Sequence, residues 1–252
     1  QLSTINYQLS TINYQLSTNM LYLSRLLKTL FLSVLLSSCL AQPKTSLNAE
    51  EFEKQLNATP NAQVLDVRTQ DEYLSGHIKN ALLADWTDPN EFQRRIAFID
   101  KHKPLFVYCL SGGRSAAAAA RLRKMGYENV YELRGGTNAW RAAGKPLEGA
   151  GDAQQMSVDD FYKAVNSAPV VLVDFGATWC PPCRMMEPVL KSLETNNPGK
   201  YTLLKVDGGR DQALLQQFKV TALPVFIVFK DGKQVWRKDG VVEEKELAGQ
   251  IK

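Results

Sequence analysis

The chain has 252 residues, of which 44% are hydrophobic and 22% are charged, and its formal net charge is +4. These proportions are close to the averages for folded globular proteins, and they exclude a disordered polymer, a collagen and a protein with many membrane spans. Thirty basic residues against 26 acidic ones are too weak a bias to indicate nucleic-acid binding, so we expect no nucleic-acid partner. At roughly 100–200 residues per domain, the length allows one large or two small domains.

The first 19 residues are dominated by the heptapeptide QLSTINY, which occurs twice and is followed by the fragment QLST. A heptad with apolar positions can form a coiled coil, but this run stops after two copies and has no charged flanking positions. We therefore expect residues 1–19 to be translated upstream sequence that is absent from the protein in the cell. A functional tail is the alternative.

Residues 20–38 have the pattern of an export signal. Arg25 and Lys28 form a short basic region, and residues 29–36 form an apolar run of the length that a signal peptide needs. The run ends in Leu-Ser-Ser-Cys at Cys39, which resembles the lipobox of bacterial lipoproteins and implies that Cys39 carries the lipid of the mature chain. This resemblance predicts a cell-envelope protein, lipid-anchored to the membrane on the periplasmic side, with residues 39–46 as a tether. The alternative is an ordinary secretory signal with an incidental cysteine.

A small, polar stretch at residues 149–155 divides the rest of the chain into two segments, 47–148 and 156–252. Each segment alternates short apolar runs with helical patterns, so we expect two α/β domains with parallel sheets. The predicted strands are 64–67, 105–108, 130–133, 170–175, 203–206 and 225–229, the last of which turns into a hairpin strand at 234–238. Helices are predicted at 91–100 and 115–125 and after Cys183, with a kink at Pro188.

Cys109 directly follows a predicted strand and precedes a loop and a helix. The loop is Leu110-Ser111-Gly112-Gly113-Arg114. A cysteine at such a turn lies beneath the backbone N–H groups of the loop and at the positive end of the helix dipole, and glycines let those N–H groups converge. With Arg114 beside it, the loop should stabilise a thiolate and an anion next to it. The C-x4-R spacing is one residue shorter than the loop that wraps a phosphate, which favours a persulfide.

Residues 47–148 resemble a rhodanese, or sulfurtransferase, domain. The motifs that carry the resemblance are Asp66-Val67-Arg68, Glu72-Tyr73, residues 76–81, the loop from Cys109 to Arg114 and residues 135–140. The resemblance implies that Cys109 accepts sulfane sulfur from a small donor as a persulfide and passes it to a nucleophile. It also implies that Asp66 and Arg68 form a structural ion pair near the loop. Leu110 stands where family members often have a basic residue.

The sequence Trp179-Cys180-Pro181-Pro182-Cys183 follows a predicted strand and begins a helix. Two cysteines at this spacing can close a small disulfide, and the helix dipole lowers the pKa of the first one. We expect Cys180, as the more exposed cysteine, to attack a substrate disulfide, and Cys183 to resolve the mixed disulfide. A zinc site would need a second pair of ligands, which residues 149–252 lack, so we expect no metal and no cofactor.

Residues 156–252 resemble thioredoxin. Beyond the cysteine motif, the resemblance rests on Asp174, Pro188, Gly232, Gly240 and the sequence Ala222-Leu223-Pro224. It implies that Leu223–Pro224 is a cis bond facing the disulfide and that, with Trp179, it offers its backbone to an extended substrate. It further implies that Asp174 is a buried carboxylate, paired with Lys205, that takes the proton from Cys183.

This segment also departs from common thioredoxins. Gly176 replaces an aromatic residue, and the first strand of the family, near residues 156–168, is predicted to be short or missing. Pro181 and Arg184 make the motif more similar to that of membrane-tethered thioredoxins of the cell envelope.

The sequence therefore predicts an envelope lipoprotein with an N-terminal rhodanese-like parallel-sheet α/β domain followed by a thioredoxin-fold domain. We expect a monomeric protein-disulfide reductase and thiosulfate-type sulfurtransferase that serves cell redox homeostasis. Its partners would be protein disulfide clients and a membrane thiol reductase as electron donor. The two domains could cooperate if Cys180 reduced a persulfide on Cys109 and released sulfide. Two alternatives stay open: the rhodanese domain is a non-catalytic docking module, or the cysteine pair works as an oxidant or isomerase.

Overall fold

The computed structural model describes residues 44–149 and 155–252, so Cys39 and most of the predicted tether and linker lie outside the described residues. The first domain contains β1 (Ser46–Leu47), α1 (Ala49–Ala58), β2 (Gln63–Asp66), α2 (Gln70–Leu74), β3 (Leu82–Leu83), α3 (Pro89–Ile96), β4 (Leu105–Tyr108), α4 (Gly113–Lys124), β5 (Val130–Leu133) and α5 (Gly136–Ala142). The second contains α6 (Val158–Val165), β6 (Val170–Gly176), α7 (Pro181–Asn196), β7 (Thr202–Asp207), α8 (Gln212–Gln217), β8 (Val225–Lys230), β9 (Lys233–Asp239) and α9 (Glu244–Gln250). Within the described ranges, no helix is both long and apolar enough to cross a membrane.

The first domain has a five-stranded sheet in the order β1-β5-β4-β2-β3, and every neighbouring pair is parallel. All four residues of β4 are buried, as expected for a strand covered by helices on both faces. The predicted parallel sheet is confirmed. Because the carboxyl ends of parallel strands meet at one edge, Asp66 at the end of β2 and Cys109 after β4 come to the same edge of the sheet. Strand β3 is the outer strand beside β2.

The second domain has a four-stranded sheet in the order β7-β6-β8-β9. Strands β6 and β7 are parallel, but β8 is antiparallel to both β6 and β9, so the expectation of a parallel sheet is wrong here. The turn at Asp231 and Gly232, both with positive φ, is a two-residue hairpin loop and necessarily reverses the chain between β8 and β9.

Two predictions concern the ends of elements in the second domain. Residues 155–169 contain α6 and no strand, which agrees with the prediction that the first thioredoxin strand is short or missing. Helix α7 continues through Pro188 to Asn196, so the proline does not end it. A kink at Pro188 stays a prediction.

Candidate functional site

The two cysteines of the second domain lie at the beginning of α7, in the turn after β6. The sulfur of Cys180 caps the helix by accepting the backbone N–H of Cys183 at 3.3 Å. Pro181 and Pro182 occupy the first helical turn, where a missing N–H removes no intrahelical hydrogen bond. Cys180 and Cys183 are joined as a disulfide. The turn therefore presents a dithiol–disulfide pair at a helix N-terminus.

A cavity of about 200 Å³ next to Cys183 is lined by Asp174, Lys205 and Glu187, among others. Asp174 on β6 lies directly opposite Lys205 on β7 in the strand register. Burial raises the pKa of Asp174 from 3.8 to about 6; the charge of Lys205 opposes this rise, and the charge of Glu187 adds to it. A carboxylate with this pKa can take a proton from a thiol in the same cavity near neutral pH.

Gly176 also lines this cavity. A Cβ atom at position 176 would lie 3.1 Å from a carboxylate oxygen of Asp174, which is closer than most Cβ contacts. An aromatic side chain at this position would therefore crowd the carboxylate. Replacement of the common aromatic residue by glycine leaves Asp174 accessible through the cavity.

The predicted substrate-binding residues of the second domain lie together. The Leu223–Pro224 bond is cis, as the resemblance implies. It immediately precedes β8, whose first residue, Val225, pairs with Phe175 near the end of β6. Leu223 and Trp179 both line a second cavity, of about 320 Å³, so they belong to one surface beside the disulfide.

Residues of the first domain cover this surface. The backbone N–H of Leu83, at the end of β3, donates to the carbonyl oxygen of Trp179 at 2.8 Å. The guanidinium group of Arg94, on α3, donates to the carbonyl oxygen of Leu223 at 3.2 Å. The guanidinium group of Arg95 lies over the ring of Trp179, 4.5 Å from its centroid. The first domain thus contacts the backbone carbonyl groups of both Trp179 and Leu223.

Both cysteines are little exposed in this arrangement. Cys180 has 0% of its surface exposed, whereas Cys183 has 9%. The expectation that Cys180 is the more exposed cysteine is therefore wrong in this arrangement. The sequence motif predicts exposure from the helix alone, and here a neighbouring domain covers the turn.

Cys109 lies between the end of β4 and the N-terminus of α4 and is buried. Its sulfur accepts the backbone N–H of Gly112 at 3.1 Å. Burial by itself raises the pKa of the thiol, but hydrogen bonds from the Ser115 hydroxyl and from the N–H groups of Ser115, Ser111 and Gly112 outweigh it, so the pKa is lowered. The loop therefore favours the thiolate, which is the nucleophilic form.

The first turn of α5 donates two backbone hydrogen bonds to the Cys109 loop. The N–H of Thr137 donates to the carbonyl oxygen of Cys109 at 2.8 Å, and the N–H of Asn138 donates to that of Leu110 at 3.0 Å. Gly136, with φ of 57°, allows this close approach, because a Cβ atom there would clash with the Cys109 carbonyl oxygen. The Cys109 loop is thus fixed between α4 and α5.

Arg114 is bound by Glu72 at the edge of this loop. Two hydrogen bonds of 2.6 and 2.7 Å join the guanidinium group to the carboxylate, and they hold the pKa of Glu72 at about 2. The predicted contact of Arg114 with an anion on Cys109 stays a prediction. Asp66 and Arg68 form a buried ion pair at 2.6 Å, as the rhodanese resemblance implies.

Comparison with known proteins agrees with both halves of this geometry. The profile of the rhodanese-like domain matches residues 48–143, and that of thioredoxin matches residues 152–252. A thioredoxin of Chlamydia muridarum is 42% identical over 94 residues, which are 37% of this chain and 90% of that protein. The chain belongs to the thioredoxin family. It carries a rhodanese-like domain before its thioredoxin domain.

Two further relatives each match less than half of the chain. The chloroplast thioredoxin X of Arabidopsis thaliana is 34% identical over 122 residues, 47% of this chain and 67% of that protein. The solved structure of a rhodanese-related protein from Thermoplasma volcanium is 29% identical and covers 41% of this chain and 97% of that one, with a TM-score of 0.37. By its two family matches, the protein is a thioredoxin-like oxidoreductase whose first domain is of the sulfurtransferase type.

Sequence reasoning missed several residues of the two sites. Ser115 could have been found, because a serine directly after Arg114 stands in the first turn of the helix that faces Cys109. Glu72 belongs to a capping box with Thr69, which the Thr-x-x-Glu spacing signals. Nothing in the sequence signals Leu83 as a contact of the thioredoxin domain, because that contact is tertiary.

Proposed function

We propose that this protein is a thiol–disulfide reductant of protein clients that works through Cys180 and Cys183. The observation that carries the proposal is the cavity that Cys183 shares with Asp174, whose pKa is about 6. In the reduced protein, the Cys180 thiolate attacks a client disulfide, forms a mixed disulfide and releases one client thiolate. Cys183 then gives its proton to Asp174 and attacks the sulfur of Cys180. This step releases the reduced client and closes the Cys180–Cys183 disulfide.

The direction of exchange follows from the reduction potential of this pair. Thioredoxin has a potential of about −270 mV, whereas the oxidant DsbA has one of about −120 mV. Because its relatives are thioredoxins, we expect a value near the lower figure. Equilibration with dithiothreitol buffers, followed by mass spectrometry of the Cys180–Cys183 peptide, measures it. A potential near about −120 mV would replace the reductant with the oxidant alternative.

We also propose that Cys109 carries sulfane sulfur from a small donor. The thiolate attacks the sulfane sulfur, the rest of the donor leaves with the bonding electron pair, and Cys109 becomes a persulfide. The lowered pKa of Cys109 and the N–H of Gly112 on its sulfur support this role. Incubation with a sulfane donor should add about 32 Da, one sulfur atom, to the Cys109 peptide, and a Cys109→Ser variant is the control. No gain with several donors would favour the docking alternative.

The two chemistries can be joined in one sequence of steps. The Cys180 thiolate takes the outer sulfur of the persulfide and frees the Cys109 thiolate; Cys183 then attacks Cys180 and releases hydrogen sulfide as the disulfide closes. This transfer requires Cys180 to leave its covered position. In a single turnover of the pre-reduced protein without added dithiol, a Cys180→Ser variant should lose sulfide release but keep the loading of Cys109. Unchanged sulfide release would contradict the relay.

The proposed place of action is the cell envelope. The basic and apolar pattern of residues 20–38 and the lipobox-like sequence before Cys39 support a lipid anchor on the periplasmic side. A membrane thiol reductase would then supply the electrons. Metabolic labelling with palmitate should mark the protein, and a Cys39→Ser variant should lose the label. Label retained in that variant would contradict the anchor.

A further inference from the structure

The Cys180 side of the thioredoxin-domain disulfide is covered by this chain's own rhodanese domain. An attacking thiol must reach a sulfur atom in line with the disulfide bond, and Cys180 has no exposed surface. The cover comes from the end of β3 and from α3, two elements of the rhodanese domain. In this arrangement the Cys180 sulfur is closed to an external partner.

The rhodanese domain binds backbone acceptors of the thioredoxin domain that an extended peptide ligand would also bind. Strand β3 is an edge strand, and the N–H of Leu83 points away from its own sheet to the carbonyl oxygen of Trp179 at 2.8 Å. The guanidinium group of Arg94 occupies the carbonyl oxygen of Leu223 at 3.2 Å. Peptide ligands commonly bind by donating to such free backbone acceptors. A client and the rhodanese domain therefore require the same acceptors.

Cationic side chains strengthen the contact between the rhodanese domain and the thioredoxin domain. Arg95 lies over the Trp179 ring at 4.5 Å, and its ion pair with Glu91 holds it in place. The thioredoxin domain also supplies a donor: the guanidinium group of Arg184 donates to the carbonyl oxygen of Asn80, in the rhodanese domain, at 3.2 Å. Cation–π contacts and hydrogen bonds from charged groups are the stronger members of their classes when they exclude water.

Cys109 does not lie at the covered disulfide. Strand β2 stands between β3, which contacts Trp179, and β4, which leads to Cys109. Leu83 and Tyr108 are both register partners of Asp66, so they are two strand spacings, or about 10 Å, apart. The closed arrangement therefore protects the disulfide rather than bringing the two sulfur sites together.

We infer that the surface formed by Leu83, Arg94 and Arg95 is an intramolecular docking site for the Trp179–Leu223 face of the thioredoxin domain, and that it competes there with external protein clients. The masking of Cys180 rests on the contacts alone, whereas the competition with clients rests on the proposed exchange activity. Exchange then requires an opening step in which the rhodanese domain leaves the face. This competition would make exchange specific, because only a client that binds the Trp179–Leu223 face better than the rhodanese domain does can keep that domain displaced.

The test measures how fast a small thiol reaches the disulfide. Oxidised full-length protein is treated with dithiothreitol, quenched with acid and blocked with N-ethylmaleimide, and the Cys180–Cys183 peptide is quantified by mass spectrometry. Arg94→Ala removes the bond to Leu223 and should accelerate reduction about tenfold, the usual effect of losing one hydrogen bond from a charged group. Arg141→Ala, which changes an exposed arginine on α5, is the matched control and should leave the rate unchanged.

The outcomes separate this inference from the proposed function. Equal reduction rates for the wild type, Arg94→Ala and the charge-reversing Arg94→Glu would overturn the masking. Reduction of insulin by the pre-reduced protein should rise with the same substitutions. If neither the wild type nor the variants reduce insulin, the exchange proposal fails, while the ratio of dithiothreitol rates still decides whether the face is masked.

Discussion

Replacing Asp174 by asparagine should make the oxidised protein more stable at neutral pH. Burial raises the pKa of Asp174 to about 6 in the folded protein, above its ordinary value of 3.8, so the folded state binds a proton more tightly than the unfolded chain does. The ionised carboxylate therefore lowers the free energy of unfolding progressively as the pH rises from about 4 through 6. A shift of about two pKa units corresponds to about 3 kcal/mol. Because the cavity admits solvent, we expect a gain of about 1.5–3 kcal/mol for Asp174→Asn.

The assay is urea denaturation of the oxidised protein at two pH values. Asparagine is neutral at every pH, so the gain should be full at about pH 7.5 and should nearly vanish at about pH 3.5, where folded Asp174 is protonated. If the two domains unfold separately, the transition that shifts is that of the thioredoxin domain. Asp231→Asn, at an exposed turn position with positive φ, is the matched control and should change stability by less than about 0.5 kcal/mol. An equal gain at both pH values would show that the introduced amide acts through packing, and no gain at about pH 7.5 would refute a raised pKa.

Three further substitutions test the two sites. Ser115→Ala removes a hydroxyl that helps to lower the pKa of the Cys109 thiol; that pKa should rise, so alkylation of Cys109 at neutral pH should slow. Gly136→Ala places a methyl group against the Cys109 carbonyl oxygen, so it should displace the loop and abolish persulfide loading, as measured by mass. Glu187→Gln removes a like charge from the cavity of Asp174, so the pKa of Asp174 should fall below about 6 in a carboxyl NMR titration.

One control variant and two contradicting outcomes accompany these substitutions. Gly113→Ala adds a methyl group to the Cys109 loop at a position with open space, so loading should persist, unlike in Gly136→Ala. An unchanged alkylation rate in Ser115→Ala would mean that the backbone N–H groups alone hold the thiolate. An unchanged pKa of Asp174 in the Glu187→Gln variant would mean that burial alone raises the pKa of Asp174.

Local sequence was sufficient for the parts of the sites that one segment builds. The loop after Cys109 and the disulfide each depend on a few consecutive residues, and each is present as predicted. The cis bond at Pro224 is also present, but it is implied by the thioredoxin resemblance and not by local sequence. The second sheet was partly mistaken because strand direction depends on chain reversal, although the Asp231–Gly232 turn already signalled one reversal.

The covering of the disulfide could not be predicted from the sequence. Leu83 has the pattern of an ordinary buried strand, and Arg94 that of a polar helix face. Their contacts with Trp179 and Leu223 join segments that are about 100 residues or more apart. No local pattern specifies which of two domain surfaces meet, because that choice depends on the shapes of both folded surfaces.

The outward N–H of Leu83 also bears on the solubility of the chain. A free sheet edge with apolar side chains invites pairing with another molecule, and many proteins blunt such edges with charges, prolines or a covering element. Strand β3 is only two residues long and both are leucines, and the thioredoxin domain takes up its outward hydrogen-bonding group. The second domain thus shields the first from edge-to-edge aggregation, and a fragment that ends before it carries an uncovered edge.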